Sequence, residues 1–140
     1  LRRQRQMCIR DRYTKAYSRL SGLKLSGDDK QLYNKLSVLA SVSGKYDAYK
    51  SFSDSGYVTM AADSLVCAAG RCAVNADNAK EYGCELQLEQ LKNIISDTLS
   101  SQYGLSYDDA IALYNIDDRD DYTLALTQKL NELGIKEETK

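Results

Sequence analysis

The cysteines have the widest chemical capacity in this chain, because a thiolate can act as a nucleophile, a metal ligand or half of a disulfide. The chain has four cysteines and no histidine; Cys8 lies in the stretch 1–12 that is set aside below, which leaves Cys67, Cys72 and Cys84 mid-chain. A structural zinc site needs four ligands, and a nucleophilic cysteine usually needs a nearby base. We therefore predict no catalytic residue, no metal site and no cofactor. We interpret the three as small, partly buried residues, with a Cys72–Cys84 or Cys67–Cys84 disulfide as the alternative.

A second candidate is the acidic run Asp117, Asp118, Asp120 and Asp121. A calcium loop needs oxygen ligands at its first, third and fifth positions and a glycine at the sixth. Arg119 takes a ligand position in either register, and the glycine is absent. The run is instead typical of a turn whose carboxylates favour the start of the following helix.

Tyrosine is the one enriched residue type, with eleven copies against one phenylalanine and no tryptophan. Most of them lie on or near apolar stripes: Tyr13, Tyr17, Tyr46, Tyr49, Tyr57, Tyr103, Tyr107, Tyr114 and Tyr122. We interpret them as the edge of the core. The alternative is a binding surface, since aromatic residues with a polar tip are favoured at interfaces.

The elements that position these residues are predicted to be helices. The chain has no proline, which would break a helix, and strand-like alternation is nowhere sustained. Apolar residues recur at three- and four-residue steps, and the loops between the stripes are short. We predict an all-α fold of five or six antiparallel helices packed as stacked α-hairpins.

The first long stripe predicts a helix that continues past Gly44 and ends near Asp54. Its members are Leu32, Leu36, Leu39, Val42, Tyr46, Tyr49 and Phe52. The next stripe is dominated by small residues, which allow close helix approach. Its members are Val58, Ala61, Ala62, Leu65, Ala68, Ala69 and Cys72.

A polar loop is predicted over residues 74–78, and Asp77 or Asn78 is expected to cap a short helix that ends at Tyr82 and Gly83. The next helix carries Leu88, Leu91, Ile95 and Leu99, and Gly104 is its expected left-handed end. Two further helices are predicted, one opening at a Ser106 capping box and one at Asp117 or Asp118. The last helix carries Tyr122, Leu126, Leu130 and Leu133.

Residues 1–12 resemble, residue by residue, the translation of a transposon-derived sequencing adapter. Removing their five arginines and one aspartate takes the formal net charge from −1 to −5 and leaves no basic stretch. We therefore expect no nucleic-acid partner. We also expect a single helical domain over residues 13–135, with a charged tail over residues 136–140. On this interpretation the chain is a metagenomic fragment whose upstream part is missing.

Residues 45–69 resemble one tetratricopeptide repeat. Gly56, Ala61, Leu65 and Ala68 fall at the offsets of its turn glycine and its small, large and small residues. Such repeats stack helical hairpins into a concave surface that binds peptides or proteins, and the resemblance implies that role.

No run of eighteen apolar residues occurs, so no membrane span is expected. The predicted function is a non-enzymatic helical protein-interaction or structural domain of a longer microbial protein. The alternative is a helical appendage of an enzyme whose catalytic domain lies upstream. A protein partner fits either hypothesis, whereas neither the oligomeric state nor the compartment is indicated.

Overall fold

The computed structural model describes residues 27–134, which form six α-helices and one π-helical turn without any strand. Their bounds are α1 Gly27–Asp54, α2 Val58–Val74, α3 Ala76–Tyr82, α4 Glu85–Thr98, the π-helical turn Leu99–Tyr103, α5 Tyr107–Tyr114 and α6 Arg119–Glu132. The all-α prediction is confirmed. The predictions for residues 1–12, for the helix before Leu20 and for the tail 136–140 lie outside the described residues.

Helix α1 passes Gly44 without a break and ends at Asp54, as predicted. Its stripe is buried from Leu39 to Tyr49 and half-buried at Leu36 and Phe52, but Leu32 is 44 % exposed, so that part of the core prediction is wrong. The reason is a difference in length. Helix α1 has 28 residues and α2 has 17, and the guanidinium of Arg71 near the end of α2 donates to the Ser41 carbonyl at 3.1 Å. The start of α1 therefore extends past α2.

Helix α2 lies at the centre and contacts each of the other five helices of the described region. The small residues predicted for its packed face are buried: Ala61, Ala62, Ala68, Ala69 and Cys72. Leu65 is fully buried among them. Gly70 is closest to a neighbour, since a Cβ placed there would overlap the ring of Tyr114 on α5.

The predicted loop over residues 74–78 is wrong. Helix α2 runs to Val74 and α3 begins at Ala76, so only Asn75 separates them. The side-chain Nδ2 of Asn75 donates to the Arg71 carbonyl at 2.8 Å, and the backbone carbonyl of Asn75 accepts from the Ala79 amide at 2.8 Å. These polar groups join the end of α2 to the start of α3. Apolar periodicity alone cannot distinguish such a polar junction from a loop.

The remaining helix ends follow the sequence closely. Gly104 adopts the predicted left-handed conformation, with φ +64°, after a π-helical turn that was not predicted. The Ser106 capping box is present, and Asp118 caps α6 by accepting from the Asp121 amide at 2.9 Å. Leu133 was expected in the core but is 39 % exposed, because α6 ends at Glu132.

Candidate binding cleft

A cleft of about 390 Å³ opens where α2 ends, between α3 and α4. Its buried floor is formed by Cys72, Ala79 and Leu88, and Tyr107 closes one end. Its rim carries small and charged side chains: Ala73, Ala76, Lys80, Glu85, Glu89 and Lys92. We refer to this depression as the α3/α4 cleft.

The turn between α3 and α4 sets the shape of the cleft. Gly83 ends α3 with φ +75°, a conformation that favours glycine because it has no Cβ. The next residue, Cys84, is fully buried, and its amide donates to the Ala79 carbonyl at 2.8 Å. Helix α4 then begins at Glu85. This tight connection holds α3 and α4 side by side with their small and charged residues facing the opening.

Tyr107 is positioned by the start of α5. Ser106 accepts from the Asp109 amide at 3.0 Å, and the Asp109 carboxylate accepts from the Ser106 amide at 3.3 Å. These hydrogen bonds lower the pKa of Asp109. The Tyr107 hydroxyl donates to the Ala69 carbonyl on α2 at 3.2 Å, and the Lys92 ammonium lies 5.0 Å from the ring centroid. Tyr107 is therefore held by a hydrogen bond to α2 and a cation–π contact with α4.

The ionisable groups at the floor of the cleft are held neutral. The Cys72 thiol donates to the Leu88 carbonyl at 3.8 Å, and burial raises its pKa to about 11. Burial also raises the pKa of Tyr107, reinforced by its interaction with Cys72. A thiol with a raised pKa carries little thiolate at neutral pH and is a poor nucleophile.

The structure contains Cys67, Cys72 and Cys84 as free thiols, two of them buried and Cys67 half-buried. Burial raises the pKa of Cys67 and of Cys84 as well. Between residues 27 and 134, no three cysteine, aspartate, glutamate or histidine side chains come together in a way that could hold a metal ion. The acidic run instead caps and begins α6.

The tyrosines of the described region mostly edge the core and bond its helices together. Tyr46, Tyr49 and Tyr103 are buried. The single Thr98 hydroxyl hydrogen goes to the Ile94 carbonyl at 2.8 Å, so Tyr46 is the donor in its 3.1 Å bond to Thr98. The Tyr122 hydroxyl likewise donates to Asp63, which joins α6 to α2. These contacts favour the core interpretation over a tyrosine-rich binding surface.

The sequence named Cys72, Leu88 and Tyr107 as core residues but did not single out the residues of the cleft rim. Glu85, Leu88, Glu89 and Lys92 do share one face of α4 at three-, one- and three-residue steps. This spacing indicates a helix face that carries both an apolar and several charged side chains. It does not show that α3 leaves this face partly uncovered.

Comparison of the chain with protein-family models, with curated proteins and with solved structures gave no match. No helix within residues 27–134 is both long enough and apolar enough to cross a membrane.

Proposed function

We propose that this chain is a non-enzymatic, helical protein-interaction domain and that the α3/α4 cleft is its binding site. The observation that carries the proposal is the combination of a buried apolar floor with an exposed rim bearing both signs of charge. Apolar floors supply binding energy, and a few placed polar groups supply orientation. The floor thiol and the tyrosine hydroxyl, both with raised pKa, suit a surface that binds without reacting.

The helical repeat proposed from residues 45–69 agrees with this role. Helices α1 and α2 make the most extensive contact between helices in the described region, and they are joined by a short turn at Gly56 with φ +82°. We infer that further helices stack on this pair as hairpins. A stack of this kind presents grooves between neighbouring helices, which is where such scaffolds bind other proteins.

The proposal is tested by blocking the rim without touching the core. Ala73 is exposed in the last turn of α2 and lines the cleft, so Ala73→Arg should occupy the opening. Ala112 is exposed in the last turn of α5, outside the cleft lining, and Ala112→Arg is the matched control. Peptides are selected against the whole 140-residue chain from a displayed random library, and their affinities are measured for all three proteins.

We expect selected peptides to lose about tenfold or more in affinity on Ala73→Arg, or roughly 1.4 kcal/mol, and to bind the Ala112→Arg control like the parent. Circular dichroism should show equal helix content in the three proteins. If the selected peptides bind both variants equally well, the cleft is not the binding site and the proposal fails.

A further inference from the structure

The rim of the α3/α4 cleft carries an ordered row of charges along α4. Glu85, Glu89 and Lys92 follow one another at steps of four and three residues, so they lie on one face of the helix. Within residues 27–134 none of the three forms an ion pair. Two carboxylates one turn apart repel each other, which weakly disfavours the helix in isolation. A complementary partner would remove that repulsion.

The spacing of this row identifies the shape of the partner. With a rise of about 1.5 Å per residue, the row places its charges at about 0, 6 and 10.5 Å along α4. A second helix packed along α4 repeats the same spacing, so its own residues at four- and three-residue steps meet all three charges. A strand presents same-face residues about every 6.6 Å, which matches the second charge but not the third.

The small residues of the opposite wall allow such a helix to approach. Ala73 lies in the last turn of α2 and Ala76 at the start of α3, so no long side chain from these two positions fills the opening. Leu88 lies at the floor between Glu85 and Lys92 and offers an apolar contact. Lys80 adds a cation on the α3 wall. A purely basic segment would meet two lysines, whereas a segment of mixed charge would not be repelled.

We infer that the α3/α4 cleft binds an amphipathic helix of a partner protein whose facing row reads basic, basic, acidic at steps of four and three residues. The basic side chains pair with Glu85 and Glu89, the acidic one pairs with Lys92, and an apolar side chain between them packs on Leu88. This inference rests on the proposed function and specifies the partner for that same cleft.

The test reverses two charges of the row. Glu89→Lys combined with Lys92→Glu keeps the net charge and composition of the chain. The matched control is Lys129→Glu with Glu132→Lys, which exchanges a lysine and a glutamate at the same three-residue spacing on α6. A displayed library of helical peptides is selected against the parent, the exchanged variant and the control. Affinities of the selected peptides are then measured on all three proteins and on Ala73→Arg.

The parent and the control should select the basic, basic, acidic row, and the exchanged variant should select peptides with the second and third signs reversed. Parent-selected peptides should lose about tenfold in affinity for the exchanged variant. Peptides that are displaced by Ala73→Arg but show no such sign reversal would overturn this inference and leave the proposed function standing. A library that yields no peptide sensitive to Ala73→Arg would overturn both.

Discussion

Helix α2 presents alanine in two different settings. Along its middle, Ala61, Ala62, Ala68 and Ala69 are fully or almost fully buried, and neighbouring helices lie against them. In its last turn, Ala73 is exposed on the rim of the α3/α4 cleft. The residue type is the same, and so is the helix. The difference lies in whether another helix covers the position.

The comparison shows what a small side chain contributes to a helical domain. Where a second helix is available, alanine lets the two backbones approach closely, and burial is complete. At the end of α2 the chain turns at Asn75 into α3, and the last turn is left partly uncovered. There the same small side chain leaves space. Alanine on α2 thus gives close packing where another helix covers it and an open cleft where none does.

The most direct way to break this comparison is to place the same large cation in both settings. Ala68→Arg buries a charge without a partner, which costs several kcal/mol against a typical total stability of about 5–15 kcal/mol. We expect that variant to be largely unfolded. Ala73→Arg should change the free energy of unfolding by no more than about 0.5 kcal/mol. Urea unfolding followed by circular dichroism measures both, and equal costs would refute the distinction.

The packed setting also depends on the large side chains between the alanines. Leu65→Ala and Leu91→Ala should each lower the free energy of unfolding by about 2–5 kcal/mol, because each leaves a cavity in the core. Leu65 is fully buried and Leu91 is 4 % exposed, while Leu86 is 69 % exposed. Leu86→Ala is therefore the control and should fall within about 0.5 kcal/mol of the parent. Chemical denaturation checks all three, and a control as damaging as Leu65→Ala would contradict the assigned core.

Gly70 lies on α2 between the buried alanines and the exposed Ala73, and it tests how closely the neighbouring helix approaches. Gly70→Ala should cost about 1–3 kcal/mol, because the new methyl group overlaps the Tyr114 ring. A methyl group added at Gly44 in α1 would meet no neighbouring atom within 4 Å, so Gly44→Ala should instead stabilise the chain by up to about 1 kcal/mol. Thermal melts compare the two. In a Tyr114→Ala background the Gly70→Ala penalty should vanish, and its persistence would locate the strain elsewhere.

The smallest expected effect concerns Cys72, which lines the floor of the cleft. Its pKa is raised to about 11 from an ordinary value of 9.0, mainly by burial. As the pH rises through 9, the unfolded chain loses this proton before the folded chain does. The stabilisation is therefore complete below pH 9 and declines between pH 9 and 11. Urea midpoints at pH 8 and pH 10.5 should fall less in Cys72→Ala than in the parent. An identical fall would exclude the contribution of this thiol.

Much of the helical framework could be predicted from the sequence, because local chemistry determines it. The alanine row of α2, the end of α1 at Asp54, the left-handed Gly104 and the Ser106 capping box all depend on residues within a turn or two of one another. Apolar periodicity and helix capping depend on neighbouring residues, so the sequence shows them directly.

The parts that escaped prediction depend on contacts between distant segments. Leu32 continues the apolar stripe of α1 but is exposed, because α2 is too short to reach it. Val74 and Ala76 lie in helices because Asn75 bonds to both sides of the junction. The sequence of α4 does not show whether water or a second helix lies opposite its charged face. The cleft could be recognised only once α3 was placed.

The central place of α2 has a consequence for motion. Because α2 contacts every other helix of the described region, its amides can reach solvent only when most of those contacts are lost together. Deuterium should therefore enter α2 last, at a rate set by opening of the whole domain. Helix α6 contacts mainly α5 and α2, and it should exchange earlier through local opening. The order of exchange along the chain would then rank the helices by how completely their neighbours enclose them.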